Sequence, residues 1–184
     1  MPAAELTAAD VPAVGTTRPS VWRRRLSRWL AEAALLAAVL LGVQLWTTRD
    51  AVSGVAPAFE AELLDGRVVS LADYRGEPLL VHFWATWCPA CRFEQGTVES
   101  IARDHQVLTV AMQSGSAPEL VAYLAEQRIH FPVYVDEQGD MAARWGVTGL
   151  PTSFVLDGRG RIRHVTAGFT TGLGLRLRLW LARD

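Results

Sequence analysis

The stretch Leu79-Leu80-Val81-His82-Phe83-Trp84-Ala85-Thr86-Trp87-Cys88-Pro89-Ala90-Cys91 decides how the rest of the chain is read. Its first six residues form a nearly unbroken apolar run, the pattern of a central strand buried on both faces. Pro89 suits the first turn of a helix, where its missing N–H removes no hydrogen bond. The spacing predicts a strand over Leu79–Trp84, a short loop, and a helix from Pro89 to about Asp104. Cys88 falls at the amino end of that helix. Unpaired backbone N–H groups and the positive end of the macrodipole stabilise a thiolate there, so Cys88 is the expected nucleophile. Cys91, one turn along and more buried, is placed to bond to it and to resolve a mixed disulfide.

Cys88 and Cys91 are the only two cysteines. A pair three residues apart closes almost no loop and adds little stability. A disulfide-stapled secreted scaffold would carry more cysteines, spread along the chain. The competing reading is half of a zinc site. No second C-x-x-C is present, and His82, His105, His130 and His164 show no ligand spacing, so neither metal nor cofactor is expected. All 18 basic residues are arginine, which excludes a catalytic or Schiff-base lysine. The net charge of −1 gives no general attraction to nucleic acid.

On the carboxyl side, the pattern predicts a strand over Val107–Met112 and a helix over Pro118–Gln127, capped by Ser116 and striped by Leu120, Val121 and Leu124. A strand over Phe131–Val135 and a short helix over Asp140–Trp145 follow. Strands Thr152–Leu156 and Arg161–Val165 flank Asp157-Gly158-Arg159-Gly160. On the amino side, Phe59–Leu63 and Val68–Leu71 flank the hairpin signal Asp65-Gly66. The tail Leu173–Leu181 fits two periods. Its leucines at 173, 175, 177, 179 and 181 alternate like a strand, while Leu173, Leu177, Trp180 and Leu181 mark one helical face; the helix is favoured. The fold class is α/β, a mixed central sheet flanked by helices. Tyr74, Phe93 and Phe131 read as packing residues, and Trp84 as core or as a shield over the cysteines.

A second signal lies in Gly146-Val147-Thr148-Gly149-Leu150-Pro151-Thr152. A proline just before a core strand is out of place unless it shapes a turn, which a cis Leu150–Pro151 bond would do. A trans loop proline is the alternative, cis being the minority isomer.

Residues 1–28 read as a disordered tail, closed by Arg23, Arg24, Arg25 and Arg28. From Trp29 to Trp46 the chain is almost wholly apolar apart from Glu32 and Gln44. As a helix this segment spans roughly 27 Å, close to a bilayer core, with tryptophans at both ends. The basic cluster before it predicts a single-pass anchor with the amino terminus in the cytoplasm. Cleavage near Ala51-Val52-Ser53 as a signal peptide, and a buried soluble helix, are the competing readings. Residues 47–56 read as a linker and 57–184 as one domain.

Together, Trp87-Cys88-Pro89-Ala90-Cys91 after an apolar strand and Gly149-Leu150-Pro151-Thr152 resemble the thioredoxin superfamily. The apolar amino-terminal segment, the leading hairpin and the extra strand and helix near Leu108–Gln127 resemble its membrane-tethered branch related to TlpA and ResA. Phe83–Phe93, Ala143-Arg144-Trp145-Gly146-Val147 and the closing leucine-arginine alternation are similar to the suppressor-of-copper-sensitivity protein D subgroup. The resemblance implies a thioredoxin-like fold on a transmembrane helix of the inner membrane, with the catalytic domain in the periplasm. It implies a thiol-disulfide oxidoreductase acting as a net reductase, a membrane electron donor of DsbD type, and extracytoplasmic thiol proteins as clients. It implies that Leu150 and Pro151 pair with the client backbone, with Trp87 and Pro89 shaping the groove. Two positions depart from or refine that pattern. His82 stands where thioredoxin has a buried aspartate, and Glu94 matches an acid with which ResA-like reductases tune their thiols. Either is a candidate for proton handling. A plain core histidine and an exposed helix carboxylate are the bland alternatives.

Two other functions compete. Soft thiolates select copper(I), which allows a copper-binding module in metal tolerance, but the methionines stand apart at 1, 112 and 141. A thiol peroxidase needs Thr or Ser three residues before its reactive cysteine, and Thr86 does not sit there relative to Cys88.

Overall fold

The computed structural model describes residues 21–49 and 51–183, without the side chains of 21–24, 27, 45, 47 and 48. The tail expected over residues 1–20 lies outside the described residues. The chain divides into two units, Met1–Leu41 and Gly42–Asp184. Helix α1 (Val21–Thr48) begins in the first and ends in the second. It starts at Val21, so the last part of the segment expected as a tail is helical. Among the described residues no helix is long and apolar enough to cross a membrane.

The second unit is built on a six-stranded sheet in the order β1-β8-β7-β4-β5-β6. Its strands are β1 (Gly54–Val55), β4 (Leu79–Trp84), β5 (Gln106–Met112), β6 (Val133–Asp136), β7 (Thr152–Leu156) and β8 (Arg161–Ala167). Strands β4, β5 and β6 run parallel, whereas β7 is antiparallel to β4 and β8 to β7. Every residue of β4 is buried, as its continuous apolar run requires. A separate antiparallel hairpin, β2 (Glu60–Glu62) and β3 (Val68–Ser70), turns through Gly66 at φ 82°. The segment expected as a linker is partly folded: Gly54 and Val55 pair with β8, and the Val52 N–H donates to the Trp145 carbonyl at 3.3 Å.

Helices α2 (Pro89–Ala102), α3 (Ala117–Gln127) and α5 (Gly172–Leu181) bury Val98, Ile101, Leu120, Leu175 and Leu179 in one cluster with Leu80, Trp84 and both cysteines. On the other face of the sheet, Val81, Phe83, Phe154 and Trp145 pack with Met141 and Ala142 of α4 (Asp140–Arg144). Ser116 begins α3 as expected, its N–H and hydroxyl both donating to Glu119 Oε2 at 2.7 Å, a capping box. The tail is the favoured helix, but its face is reversed. Leu175, Leu179 and Ala182 are buried, while Leu173, Leu177, Trp180 and Leu181 lie exposed. Both faces of this segment are apolar, so periodicity cannot choose between them; contact with α2 and β7 does.

Candidate active site

Strand β4 delivers the chain to the end of the sheet where Ala85-Thr86-Trp87 turns it into α2. That turn is pinned at several atoms. The Thr86 N–H donates to Ser114 Oγ at 3.1 Å, and the Arg92 guanidinium donates to the Thr86 carbonyl at 3.2 and 3.0 Å. The Trp87 indole N–H donates to the Gln113 carbonyl at 3.0 Å, leaving the ring 56% exposed. Gln113 itself lies in the left-handed region at φ 46°. Sequence reasoning missed Gln113 and Ser114, whose roles come from the chain just after β5 meeting the cysteine loop, and Arg92, whose guanidinium folds back from α2 onto Thr86.

Cys88 is the N-cap of α2, with Pro89 in the first turn. The cysteines form a disulfide with Cα atoms 5.3 Å apart, within the ordinary range for such bonds. The Cys91 N–H donates to Cys88 Sγ at 3.2 Å, so an orphan helix donor already points at the outer sulfur. Cys88 keeps 4% of its surface and Cys91 none, so attack from outside reaches Cys88 first.

Across the sheet, Phe83 of β4 pairs with Thr152 of β7. That register sets Pro151 beside the end of β4 from which the cysteine loop leaves. The Leu150–Pro151 peptide bond is cis, Pro151 is buried and Leu150 half-buried against both core clusters. The Pro151 carbonyl accepts from the Gly168 N–H at 2.8 Å, tying this loop to the segment after β8.

Two buried ionisable groups, Glu94 on α2 and His82 on β4, face each other. Glu94, three residues after Cys91, is fully buried rather than an exposed helix carboxylate. Its Oε1 accepts the Thr170 N–H, and its Oε2 has no hydrogen-bond partner. Burial raises its pKa to about 7, against the opposing pull of the Thr170 N–H. His82 is 2% exposed, and burial lowers its pKa to about 4. Its Nδ1 lies 2.9 Å from Ser153 Oγ and its Nε2 4.0 Å from Glu94 Oε2. Ser153 and Thr170 carried no sequence signal; strand register supplies the first and the loop before α5 the second. At Gly172, the first residue of α5, an added Cβ would stand 3.1 Å from the Thr97 methyl of α2, so glycine lets the two helices approach closely here.

The aromatic assignments divide. Trp84 is core, its ring packed on Tyr123 and Phe131 at centroid distances of 6.0 and 5.8 Å. Phe131 and Tyr74 pack as expected, the latter on Phe59. Phe93 does not: it is 80% exposed, because α2 turns Glu94 and Gln95 inward instead. Phe169 is exposed as well. These two phenylalanines directly precede Glu94 and Thr170, the pair joined across α2 and the loop. A groove of about 580 Å³ lies elsewhere, lined by Leu64, Arg67, Val121, Leu124 and Phe131 among others, and no cysteine-site residue lines it.

Two cysteines one turn apart at a helix N-terminus, joined in a disulfide and presented on this sheet order, define the class: a thioredoxin-like dithiol–disulfide protein. The chain belongs to the AhpC/TSA family, whose profile matches residues 52–165. It is 36% identical over 121 residues to a thioredoxin-like protein of Haemophilus influenzae, covering 65% of this chain and 72% of that one. It is 33% identical over 128 residues to the thiol-disulfide oxidoreductase ResA of Geobacillus thermodenitrificans, covering 67% and 74%. Among solved structures, the exposed lipoprotein thioredoxin of Streptococcus pneumoniae superposes with a TM-score of 0.63 at 26% identity, covering 68% of this chain and 99% of that one. The chain is a thiol-disulfide oxidoreductase of the ResA and DsbE type.

Proposed function

We propose that this protein reduces disulfides of other proteins outside the cytoplasm, from a membrane anchor formed by α1. The observation that carries the exchange chemistry is the asymmetry of the pair: Cys88, on a helix N-cap, keeps a small opening to solvent and Cys91 keeps none. In the reduced protein, the amino end of α2 favours the Cys88 thiolate. That thiolate attacks a client disulfide, forming a Cys88–client bond and releasing one client thiolate. Cys91 then loses its proton, attacks Cys88 Sγ and releases the second client thiolate. Two electrons pass from the dithiol to the client, leaving the Cys88–Cys91 disulfide.

Glu94 is the acceptor for the Cys91 proton in this scheme, since it is a buried carboxylate one turn along the same helix. Leu150 presents its backbone to the client, its direction fixed by the cis bond to Pro151, while Trp87 and Pro89 border the outer sulfur. The exposed rings of Trp87, Phe93 and Phe169 suit a protein client, which buries apolar area on docking.

The extracytoplasmic placement rests on α1. Its described apolar side chains, among them Trp29, Leu30, Leu35, Leu36, Val39, Leu40 and Leu41, are exposed on every side. A helix that is apolar all round calls for an apolar surrounding. The arginines before it favour a cytoplasmic amino terminus. The resemblance to ResA-related reductases supports the reducing direction and a membrane donor of DsbD type.

The test is Cys91→Ser in the native cell. It is expected to accumulate covalent Cys88–client adducts, resolved by thiol reagents and identified by mass spectrometry, while the Cys88→Ser, Cys91→Ser double variant accumulates none. Equal trapping by the double variant would refute the assignment of Cys88.

A further inference from the structure

His82 departs from the aspartate that thioredoxin carries at its position, and its surroundings give that departure a purpose. Its cross-strand neighbours are Thr109 on β5 and Ser153 on β7. The Thr109 hydroxyl is engaged elsewhere, donating to the Pro132 carbonyl at 2.8 Å. Ser153 Oγ is the group that meets the ring, 2.9 Å from Nδ1. The opposite nitrogen, Nε2, faces Glu94 Oε2 at 4.0 Å. That oxygen is buried without a hydrogen-bond partner, a costly condition for a carboxyl and a more costly one for a carboxylate.

We propose that His82 is the positioning residue for Glu94: rotation of the Ser153 hydroxyl exchanges the imidazole tautomer, so that Nε2 serves the unpartnered Glu94 oxygen in both protonation states of the carboxyl. When Ser153 donates to Nδ1, the ring proton sits on Nε2 and faces the carboxylate. When Ser153 accepts from Nδ1–H, the Nε2 lone pair faces the carboxylic acid. The 4.0 Å gap closes to hydrogen-bond length by about 1 Å of side-chain movement. The ring stays neutral throughout, as its burial dictates.

The inference rests on the exchange reaction proposed above, and the proton count follows from it. The Glu94 carboxylate takes the Cys91 thiol proton as Cys91 attacks Cys88 Sγ. The Cys88–Cys91 bond forms and the Cys88–client bond breaks. The released client thiolate finally receives the proton from Glu94, with nothing left over. Around the pair, the Thr170 N–H donates to Glu94 Oε1, Arg178 of α5 reaches the Thr170 hydroxyl with its Nη1 3.4 Å from Oγ1, and Cys91 stands one turn before Glu94 on α2. His164 of β8, opposite Val155 of β7, is half-buried, with its pKa lowered first by burial and then by Arg178 and Arg163. None of these but His82 forms an ion-pair contact with the second Glu94 oxygen among the described residues.

Stopped-flow reaction of the reduced full-length protein, in detergent, with a chromogenic nitrobenzoate disulfide separates the two steps. The first coloured thiol reports attack by Cys88, and the second reports resolution by Cys91. His82→Leu is expected to move the pH midpoint of the second phase upward by about one unit, about tenfold in rate below the midpoint, with rates converging at high pH. His82→Gln, which keeps a donor and an acceptor near Nε2, is expected to restore most of the loss. Ser153→Ala is expected to give a smaller upward shift, and it carries the test alone if His82→Leu does not fold. A second-phase midpoint identical to wild type in Ser153→Ala and in any folded His82→Leu would overturn the proposal. So would a uniform slowing of both phases at every pH, the signature of a merely structural residue. Loss of the first phase in the wild-type protein would instead refute the role of Cys88.

Discussion

Glu94 and His82 are displaced in opposite directions by the same cause, burial, and each displacement makes folding pH-dependent. Folded Glu94 holds its proton up to about pH 7, whereas the unfolded chain gives it up near 4.5. Its contribution is therefore free of penalty below 4.5 and is lost as the pH rises toward 7; that gap is worth about 3 kcal/mol. His82 runs the other way. The unfolded histidine gains a proton below 6.5 and the folded one only near 4, so stability is lost as the pH falls across that range. Between 4.5 and 6.5 the two drifts cancel. Glu94→Gln is thus expected to stabilise the oxidised protein by up to about 3 kcal/mol at pH 8 and by almost nothing at pH 4. Urea midpoints at the two values check this, and an equal gain at both would rule out the burial argument. The residue types at 82 and 94 were legible in the sequence as candidates. Their burial and mutual approach were not, because one sits on a strand and the other on a helix packed across it.

At the scale of elements, α2 shows how local signals and tertiary contact divide the work. Pro89 and the apolar strand before it place the helix start without reference to the rest of the molecule. Which residues of α2 turn inward is another matter: Glu94 and Gln95 are buried while Phe93 is exposed, against any hydrophobicity rule. The packed neighbours decide, with Thr170 holding Glu94 and the Tyr123 hydroxyl accepting from Gln95 Nε2 at 2.8 Å. In α5 the existence of a helix was legible and its orientation was not, since leucines occupy both faces. Leu175→Ala is expected to cost about 2–5 kcal/mol as a cavity in the core, and Leu173→Ala, on a side chain 80% exposed, about 0.5 kcal/mol or less. Denaturant unfolding of the two variants measures the difference. A larger loss for Leu173→Ala than for Leu175→Ala would mean that α5 buries the face that periodicity alone suggested.

For the molecule as a whole, the domain begins earlier than its composition implies. Strand β1 adds an edge to β8, and Ala51 and Val52 pack against the core on the α4 side of the sheet. A chain starting at Arg49 is expected to keep the full stability of the domain, whereas one starting at Pro57 loses the β1 pairing and melts several degrees lower; thermal unfolding of the two compares them directly. If α1 is the anchor proposed, the full chain will sediment with membranes and require detergent for release, and the chain from Arg49 will remain in solution. Recovery of the full chain in the soluble fraction without detergent would remove the basis for the anchor.

What the sequence determined by itself was the exchange chemistry and the scaffold that holds it: a continuous apolar run, a cysteine at the mouth of a helix and a second one turn along are local patterns, enforced by backbone hydrogen bonding and side-chain period. The register that sets Ser153 against His82, the loop that brings Thr170 to Glu94, the edge strand drawn from an apparent linker and the buried face of α5 were decided only when the chain folded. Each depends on contacts between residues far apart in sequence, and such contacts are fixed by which surfaces the whole molecule can bury together.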